Sequence, residues 1–339
     1  MDLTSDFLVI GAGLGGVAAA SRLVASGQKV IIVDKARGVG GRAATKRLGD
    51  LRVDTGAQFF TTRDAEFTAW VASRLGAGAR GEIFEWTRGF PLWRDGQIVQ
   101  RDGTHPRYAC RSGMSALAKM LASGLEPVLG QAVTSLERWS GRYRATLADG
   151  TTFEAPSLIL NLPPVQLVAL AAPLLDPSWT EAISEVHLEP CFAIYGELES
   201  DLQVDWMGLE LEGHATFRWI ARDHTRRAPG ARPVLLAHTT ALWSQERLEN
   251  SPDAVAAEAA RELERLLGAR FRSAPQAHRW RYAQPAVDAG ASAPRLSPSR
   301  EIESWDEASR IGLCGDWLRG GRVEGAILSG WDLARQITR

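Results

Sequence analysis

The chain has 339 residues, a hydrophobic fraction of 45%, a charged fraction of 23% and a formal net charge of −1. These values are typical of a globular protein and exclude a disordered or fibrous one, while the length favours two lobes. A net charge this close to zero gives no electrostatic reason to expect nucleic acid or an anionic membrane as a partner.

The three cysteines, Cys110, Cys191 and Cys314, are widely spaced and form no C-x-x-C pair. This spacing predicts buried structural thiols and argues against a disulfide framework or a zinc site. The chain begins with acids at Asp2 and Asp6, unlike a signal peptide, and no apolar run reaches the approximately twenty residues of a membrane span. We therefore expect a cytoplasmic protein without a metal ion.

An apolar run at residues 7–10 leads into Gly11, Gly13 and Gly16 and then into an alanine-rich segment. The pattern predicts a buried strand that turns tightly into a helix. Gly11 would permit the turn, Gly13 would let a pyrophosphate approach the backbone, and Gly16 would let the helix lie close to the strand. The free amides and the positive dipole end at the helix start suit a diphosphate.

Three further features lie in the next part of the chain. Residues 29–34 resemble a second buried strand, and Asp34 at its end has the position of a ribose-binding acid, although it could simply cap a turn. Residues 35–42 form a glycine-rich turn that ends in Arg42, either a phosphate ligand or a solvated surface residue. At 52–61 a strand-like run is interrupted by Gly56, which implies backbone pressed against something.

The central residues alternate between helix and strand patterns. Residues 62–104, rich in tryptophan, are interpreted as an excursion that contacts the second lobe. We then predict a helix at 114–121, a strand at 131–137, a hairpin at 142–153 turning at Asp149 and Gly150, and a buried strand at 156–164 that ends at proline.

From residue 165 to about 279 the sequence predicts a second unit with a mixed sheet. Strands are expected near 192–198 and 233–242, and an amphipathic helix at 251–267 has Ser251 as its cap. This part has no second G-x-G-x-x-G pattern, so a reductase that binds FAD and NADPH in two tandem dinucleotide folds is disfavoured.

These segments together resemble flavoprotein oxidases of the amine-oxidase type, which combine G-x-G-x-x-G, an acid ending the second strand, a G-G-R turn and a D-x-G segment. The carboxyl-terminal residues 311–316 and 320–330 match the family's Gly-Asp strand end and final helix. The resemblance implies non-covalently bound FAD, with the final helix aimed at the flavin N1–C2=O region. A helix start there would stabilise negative charge on reduced flavin.

The same resemblance implies an α/β fold with a Rossmann-type FAD-binding domain and a second, mixed α+β substrate domain, as in amine oxidases and p-hydroxybenzoate hydroxylase. The FAD domain would comprise 1–61, 105–164 and 284–339, and the substrate domain 62–104 and 165–283. Implied cofactor contacts are Gly11, Gly13, Gly16, Asp34, Lys35, Gly41, Arg42, Gly56, Ala57, Gln58, Val133, Gly315, Asp316, Val323, Gly325 and Ala326.

Within the second lobe, the stretches 218–223, 238–248 and 278–283 resemble the bacterial renalases of this superfamily. That resemblance implies an oxidase of the 2- and 6-dihydro isomers of β-NAD(P)H. A hydride would pass to flavin N5, and oxygen would then take the electrons, giving NAD(P)+ and hydrogen peroxide. The partners would be a small dinucleotide substrate and O2. A dihydropyridine needs positioning but no catalytic acid or base.

Candidate contacts to the substrate ring are Gln58, Phe60, His238, Trp280 and Trp317. Core packing is the alternative role for each aromatic residue and for His238. Two other functions remain open, namely a flavin amine oxidase and a flavin-binding protein without turnover. The amine oxidase is disfavoured because Lys29, Lys35, Lys46 and Lys119 all lie early in the chain and no obvious tyrosine pair is present.

Overall fold

The protein was analysed as a computed structural model that describes residues 5–76, 81–101, 103–285 and 303–339. Asp2, cited above for the chain start, lies outside these residues. The described chain separates into two compact units. The first comprises Met1–Ala43, Leu117–Leu188 and Gln284–Arg339, and the second Ala44–Ala116 and Glu189–Ala283.

The first unit contains a six-stranded sheet in the order β19-β20-β13-β1-β2-β9. Its strands are β1 Phe7–Ile10, β2 Val30–Asp34, β9 Val128–Leu129, β13 Ser157–Leu160, β19 Trp305–Asp306 and β20 Ile311–Leu313. All neighbours are parallel except β19 and β20. The carboxyl ends of the parallel strands therefore lie along one edge, where dinucleotide folds bind their ligands.

Among its described residues, this unit also has an antiparallel sheet of three strands, formed by β10 Val133–Trp139, β11 Arg142–Leu147 and β12 Thr152–Ala155. The predicted hairpin and its Asp149–Gly150 turn are confirmed. The helices are α1 Leu14–Ala25, α4 Pro164–Ala171, α5 Pro177–Ser184 and α8 Val323–Ile337, and α3 Ser115–Leu121 crosses the boundary between units. The prolines after β13 do more than stop the strand, because Pro164 begins α4.

The second unit is built on a seven-stranded mixed sheet in the order β18-β14-β17-β16-β15-β6-β7. Its strands are β6 Leu92–Arg94, β7 Gln97–Val99, β14 Leu188–Glu197, β15 Gly208–Leu211, β16 Phe217–Arg222, β17 Val234–Thr239 and β18 Gln276–Pro285. Two smaller pairs are β3 Thr45–Leu48 with β4 Leu51–Asp54, and β5 Ile83–Thr87 with β8 Arg107–Cys110.

Three further helices belong to the second unit, α2 Ala65–Ala72, α6 Ala241–Glu246 and α7 Pro252–Leu267. Ser251 caps α7 by accepting a hydrogen bond from the Ala254 amide, as predicted. One face of the large sheet shares a core with α7 that includes Phe192, Leu235 and Leu263. Strand residues alternate between faces, so His238 points to the face opposite Leu235 and Ala237.

The units differ from the predicted domains at three places. Residues 44–61 and 105–116 associate with the second unit, and 165–188 with the first. The physical reason is pairing and packing: β3 and β4 form a separate hairpin, while α4 and α5 bury Leu167 and Ile183 in the first unit's core. Which residues form the functional FAD domain is a separate question, and that division stays a prediction.

Candidate active site

The glycine loop of the first unit has the predicted strand-turn-helix form. β1 ends at Ile10, Gly11 has φ +104°, and α1 begins at Leu14 with Gly13 as its N-cap residue. A positive φ of this size strains any other residue type. Gly13, the N-cap residue, has no side chain with which to cap α1, and a helix start that its own N-cap leaves open suits an anion.

Asn161, which the motif analysis missed, is the residue against which this loop is built. Added Cβ atoms at Gly11 and Gly16 would collide with the Asn161 and Gly11 carbonyl oxygens, respectively. A Cβ at Gly13 would lie 2.6 Å from Asn161 Oδ1. The close approach of helix and strand predicted at Gly16 is confirmed. Asn161 itself donates from Nδ2 to the Cys314 carbonyl at 2.9 Å, which ties the loop to the end of β20.

Asp34 is directed at the glycine loop. One carboxylate oxygen accepts from the Ala12 amide at 2.6 Å and the other from the Ala36 amide at 2.7 Å. Nearby, the Gln131 amide donates to the Asp34 carbonyl at 3.1 Å, and Val133 begins β10 shortly afterwards. The acid and the strand that begins at Val133, an implied cofactor contact, therefore adjoin the same loop. Lys35 is exposed and donates to Gln166 Oε1 at 3.2 Å.

The G-G-R turn and the Gly-Asp pair are joined by an ion pair. Both terminal nitrogens of Arg42 donate to the Asp316 carboxylate, one of them at 2.9 Å. Bidentate arginine–carboxylate pairs fix geometry as well as charge. The alternative of a solvated surface Arg42 is wrong, and its planar fork faces a carboxylate instead of an open anion site.

The start of α8 adjoins the Gly315–Asp316 pair. The Gly315 amide donates to Ser329 Oγ at 2.9 Å, and the side chain of Arg322, the N-cap residue of α8, makes no capping hydrogen bond. A Cβ at Gly325 would collide with the Arg319 carbonyl oxygen, and Ala326 is buried. The geometry leaves a second uncapped helix start beside the strand end.

The second unit gathers Gln58, His238 and Trp280 around the segment 54–58. The Thr55 carbonyl accepts from His238 Nε2 at 3.0 Å and from Trp280 Nε1 at 2.8 Å. Gln58 Nε2 donates to the carbonyls of Asp54 and Gly56, the latter at 2.9 Å. These three residues were among the predicted substrate contacts. In the structure their side chains lie together because all three donate hydrogen bonds to backbone carbonyls of residues 54–56.

His238 is a neutral donor. Because a carbonyl only accepts, Nε2 carries the ring proton. Burial, reinforced by the positive charge of Arg218, lowers the pKa of His238 to about 3. His278 has a pKa lowered to about 4 by burial and by the charge of Lys46, and its ring meets Trp280 edge-on at 4.4 Å. Neither imidazole is protonated at neutral pH.

Phe60 and Trp317 do not join this group. Phe60 is 3% exposed, lies 5.9 Å from Phe67 between ring centroids, and pairs its backbone with Tyr108. Trp317 is fully buried in the first unit's core and donates from Nε1 to the Leu162 carbonyl at 3.2 Å. Both side chains therefore pack in cores, which corrects the expectation that they present a face to substrate.

A buried ionic cluster beneath the segment 54–58 was not predicted as a unit, although Asp54 belongs to the D-x-G segment and Asp223 to the stretch 218–223. It consists of Asp54, Asp223, Arg226 and Arg227. Arg227 Nη2 donates to Asp54 at 2.9 Å and to Asp223 at 2.8 Å, while Arg226 pairs with Asp223. The side chains of Asp54, Asp223 and Arg226 have no exposed area. The sequence alone does not show which of its many charged residues are buried together in the folded protein.

All three cysteines are buried thiols, as predicted. Burial raises the pKa of Cys314 to about 12.

Across the described ranges, no helix combines the length and apolar character needed to cross a bilayer.

Comparison with known proteins assigns the chain to a protein family. A family model described as flavin-containing amine oxidoreductase matches residues 90–338, and a model of an NAD(P)-binding Rossmann-like domain matches residues 9–73. The chain belongs to the flavin-containing amine oxidoreductase family. The family's α/β architecture, with a Rossmann-like domain and a second, amine-oxidase domain, is the predicted fold class.

Sequence relatives match only short segments. A phytoene desaturase of Rhodobacter capsulatus is 46% identical over 63 residues, which cover 19% of this chain and 12% of the relative. A Mycobacterium tuberculosis protein assigned as a flavin-containing monoamine oxidase is 32% identical over 124 residues, 36% of this chain and 24% of the relative. The matches thus span between about an eighth and a quarter of these relatives.

Solved structures match over the full length. A protein from Exiguobacterium sp. 255-15 assigned as a protoporphyrinogen oxidase superposes with a TM-score of 0.75 at 14% identity, covering 100% of this chain and 99% of the other. Wild-type putrescine oxidase bound to putrescine gives 0.72 at 14% identity and covers 99% of each chain. At this identity the superpositions establish the fold alone.

FAD is the cofactor implied by the family, and the first unit fits a dinucleotide. The glycines of the loop lack the Cβ atoms that would fill its turn, the start of α1 is uncapped, and Asp34 adjoins the loop. These are the features that dinucleotide-binding strand-turn-helix units use.

Proposed function

We propose that the protein is an FAD-dependent oxidase of the 2- and 6-dihydro isomers of β-NAD(P)H. The observation that supports this choice is the absence of a titrating group among Gln58, His238 and Trp280, each of which is tied by hydrogen bonds to the segment 54–58. A dihydropyridine becomes aromatic on losing a hydride, so the site must orient it but need not deprotonate it.

Cofactor binding is proposed for the residues inferred from the sequence. Gly11, Gly13, Gly16 and Asp34 would hold the ADP portion, and Gly56, Ala57 and Gln58 would contact the ring system. Within the described residues, the amides of these last three donate to no acceptor, which suits a ligand with electron-rich ring atoms. Arg42 would act by holding Asp316 instead of by binding phosphate directly.

Bound FAD would supply the two-electron acceptor for the hydride and the centre from which oxygen is reduced. The overall reaction is balanced by one proton: dihydronicotinamide, O2 and H+ give nicotinamide cation and H2O2. The protein would contribute orientation through His238 and Trp280, which hold the Thr55 carbonyl. The final helix, through its uncapped start near Val323, would stabilise negative charge.

A flavin amine oxidase is the second candidate. It is supported by the family itself and by the match to putrescine oxidase. One structural observation also favours it: Lys46, which the sequence placed with the cofactor domain, lies in the second unit and is close enough to His278 to lower its pKa. The shortage of lysines is therefore a weaker argument against amines than the sequence suggested.

Anaerobic reduction separates these functions. Oxidised holoenzyme is mixed without oxygen with 2-dihydro- or 6-dihydro-NAD(P), with ordinary NADH, or with putrescine, and flavin absorbance is followed. We expect bleaching within minutes by the isomers, followed on admission of air by colour return and one H2O2 per flavin. Bleaching by putrescine alone would establish the amine oxidase. Persistent colour with every substrate would refute both oxidases and favour a flavin-binding protein without turnover.

A further inference from the structure

The segment 54–58 is held from beneath by the buried ionic cluster. Asp223 Oδ1 accepts from the Asp54 amide at 3.0 Å and from Arg226. Burial opposes the ionisation of Asp223, but the charges of Arg226 and Arg227 outweigh it and keep the Asp223 pKa below its ordinary value. Buried charges contribute little net stability relative to apolar side chains, so the cluster is better explained by the geometry that it imposes.

Arg226 extends this cluster to Gln58. Its Nη1 donates to the Gln58 backbone carbonyl, and its Nη2 donates to Gln58 Oε1 at 3.1 Å. Since a guanidinium only donates, the contact fixes which end of the Gln58 amide faces Arg226. The Gln58 Nε2 group then faces back to the carbonyls of Asp54 and Gly56. One arginine thereby determines both the backbone and the side chain of Gln58.

The same segment is held on the sheet side through Thr55. His238 and Trp280 both donate to the Thr55 carbonyl. In a trans peptide the carbonyl and the following amide point in opposite directions, so the Gly56 N–H is directed away from the two donors. The orientation of the amides at 56–58 thus depends on two independent sets of contacts, of which Arg226 supplies one.

We propose that Arg226 is a positioning residue that sets the environment of the flavin ring through Gln58 and the amides of residues 56–58. The proposal rests on the proposed function in one respect, namely that residues 56–58 contact FAD. Arg226 is itself fully buried, so it would touch neither FAD nor substrate. Its fork bridges Gln58 and Asp223 through two separate nitrogens, a planar geometry that the single ammonium nitrogen of lysine does not reproduce.

The test replaces Arg226 by lysine, which keeps the positive charge but has one ammonium nitrogen in place of the planar guanidinium. We expect R226K to fold, with an altered visible flavin spectrum or a shifted flavin reduction potential. With the isomeric dihydronicotinamides, kcat should fall on the order of 10²-fold while KM changes less, because displacement of a positioned group has effects of that order. The spectrum and potential are measured without substrate, so they report on Arg226 even if the proposed substrates are inert.

Arg222 provides a matched control in the same unit. Its guanidinium is also multiply bonded, to Asp201 and to the carbonyls of Val204 and Trp206 at 3.1 and 3.2 Å, but among the described residues it donates no hydrogen bond to the segment 54–58. R222K should lower thermal stability while leaving the flavin spectrum, the reduction potential and kcat unchanged.

A second variant covers the case in which R226K does not fold. Q58E keeps an acceptor for Arg226 but loses both donated bonds to the backbone, so it should reproduce the spectral or potential shift. The proposal is overturned if folded R226K has the wild-type spectrum, potential and kcat. It is also overturned if R222K shifts the spectrum as far as R226K does, or if R226K cannot be folded and Q58E leaves the flavin unchanged.

Discussion

Replacing Gly13 by alanine tests whether this glycine serves the protein or the cofactor. Gly13 has φ −69° and ψ 176°, a conformation that alanine adopts without strain. The new Cβ would lie 2.6 Å from Asn161 Oδ1, so Asn161 must move. Overpacking of this kind costs about 1–3 kcal/mol. The smaller entropy of the unfolded alanine chain returns about 0.4–1 kcal/mol. The free energy of unfolding should therefore fall by about 1–2 kcal/mol.

The clash between the new Cβ and Asn161 Oδ1 can be removed by truncating Asn161 while the Cβ at residue 13 is kept. N161A alone should cost about 1–3 kcal/mol, because the buried Cys314 carbonyl loses its donor. Adding G13A to N161A should then raise the free energy of unfolding by about 0.4–1 kcal/mol, since Oδ1 is gone and only the lower entropy of the unfolded alanine chain remains. FAD binding should nevertheless remain lost in the double variant if a pyrophosphate approaches the backbone at residue 13. G38A is the matched control, because a Cβ there meets nothing within 4 Å.

The assay has two readouts. Denaturant unfolding of the cofactor-free variants gives the steric coupling between residues 13 and 161, and the ratio of flavin to protein absorbance gives FAD stoichiometry after purification. Wild-type stoichiometry in G13A/N161A would refute the placement of the pyrophosphate at Gly13, because the glycine would then be needed only to accommodate Asn161. Strictly additive stability losses would refute the steric argument instead.

Three other predictions concern the lowered pKa of His238, the ion pair of Arg42 with Asp316, and the burial of the cysteines. Because the pKa of His238 is lowered from 6.5 to about 3 in the folded state, its contribution to stability is complete above pH 6.5 and lost as the pH falls toward 3. H238Q should unfold with a shallower pH dependence between pH 6.5 and 4, and an equally steep dependence would show that His238 is not the group responsible. A double-mutant cycle of R42M and D316N, measured by denaturant unfolding, should give a coupling of about 1–2 kcal/mol, and zero coupling would contradict the bidentate pair. The three cysteines should react with a thiol reagent only after denaturation, and a fast-reacting thiol in the native protein would contradict their burial.

The local elements were predictable because their signals are local. The glycine spacing around Gly11, the turn at Asp149 and Gly150, and the Ser251 cap each depend on residues close in the chain. The structure has all three. The pair Pro163 and Pro164 was predicted to end a strand, but the sequence did not show that Pro164 also begins a helix.

The contacts that organise the candidate site were not predictable, since they join distant residues. Asn161 lies far along the chain from Gly13, and Arg226 lies far from Gln58. Neither belongs to a recognised motif. Trp317 shows the opposite error, because its position after the Gly-Asp pair suggested a ligand contact, whereas its side chain fills a core. Sequence position fixes where a backbone lies but not which way an aromatic side chain turns.

The role of His238 changes most between sequence and structure. As a ring contact it would have needed a free donor, but its Nε2 proton is already donated to Thr55, together with that of Trp280. Under the proposed function, these two donors would act on a substrate only through the Thr55 backbone that they hold. The proposed dihydropyridine needs a fixed orientation but no proton acceptor. The neutral state of His238 and its bond to Thr55 therefore support the proposed hydride donor, from which the site would have to take no proton.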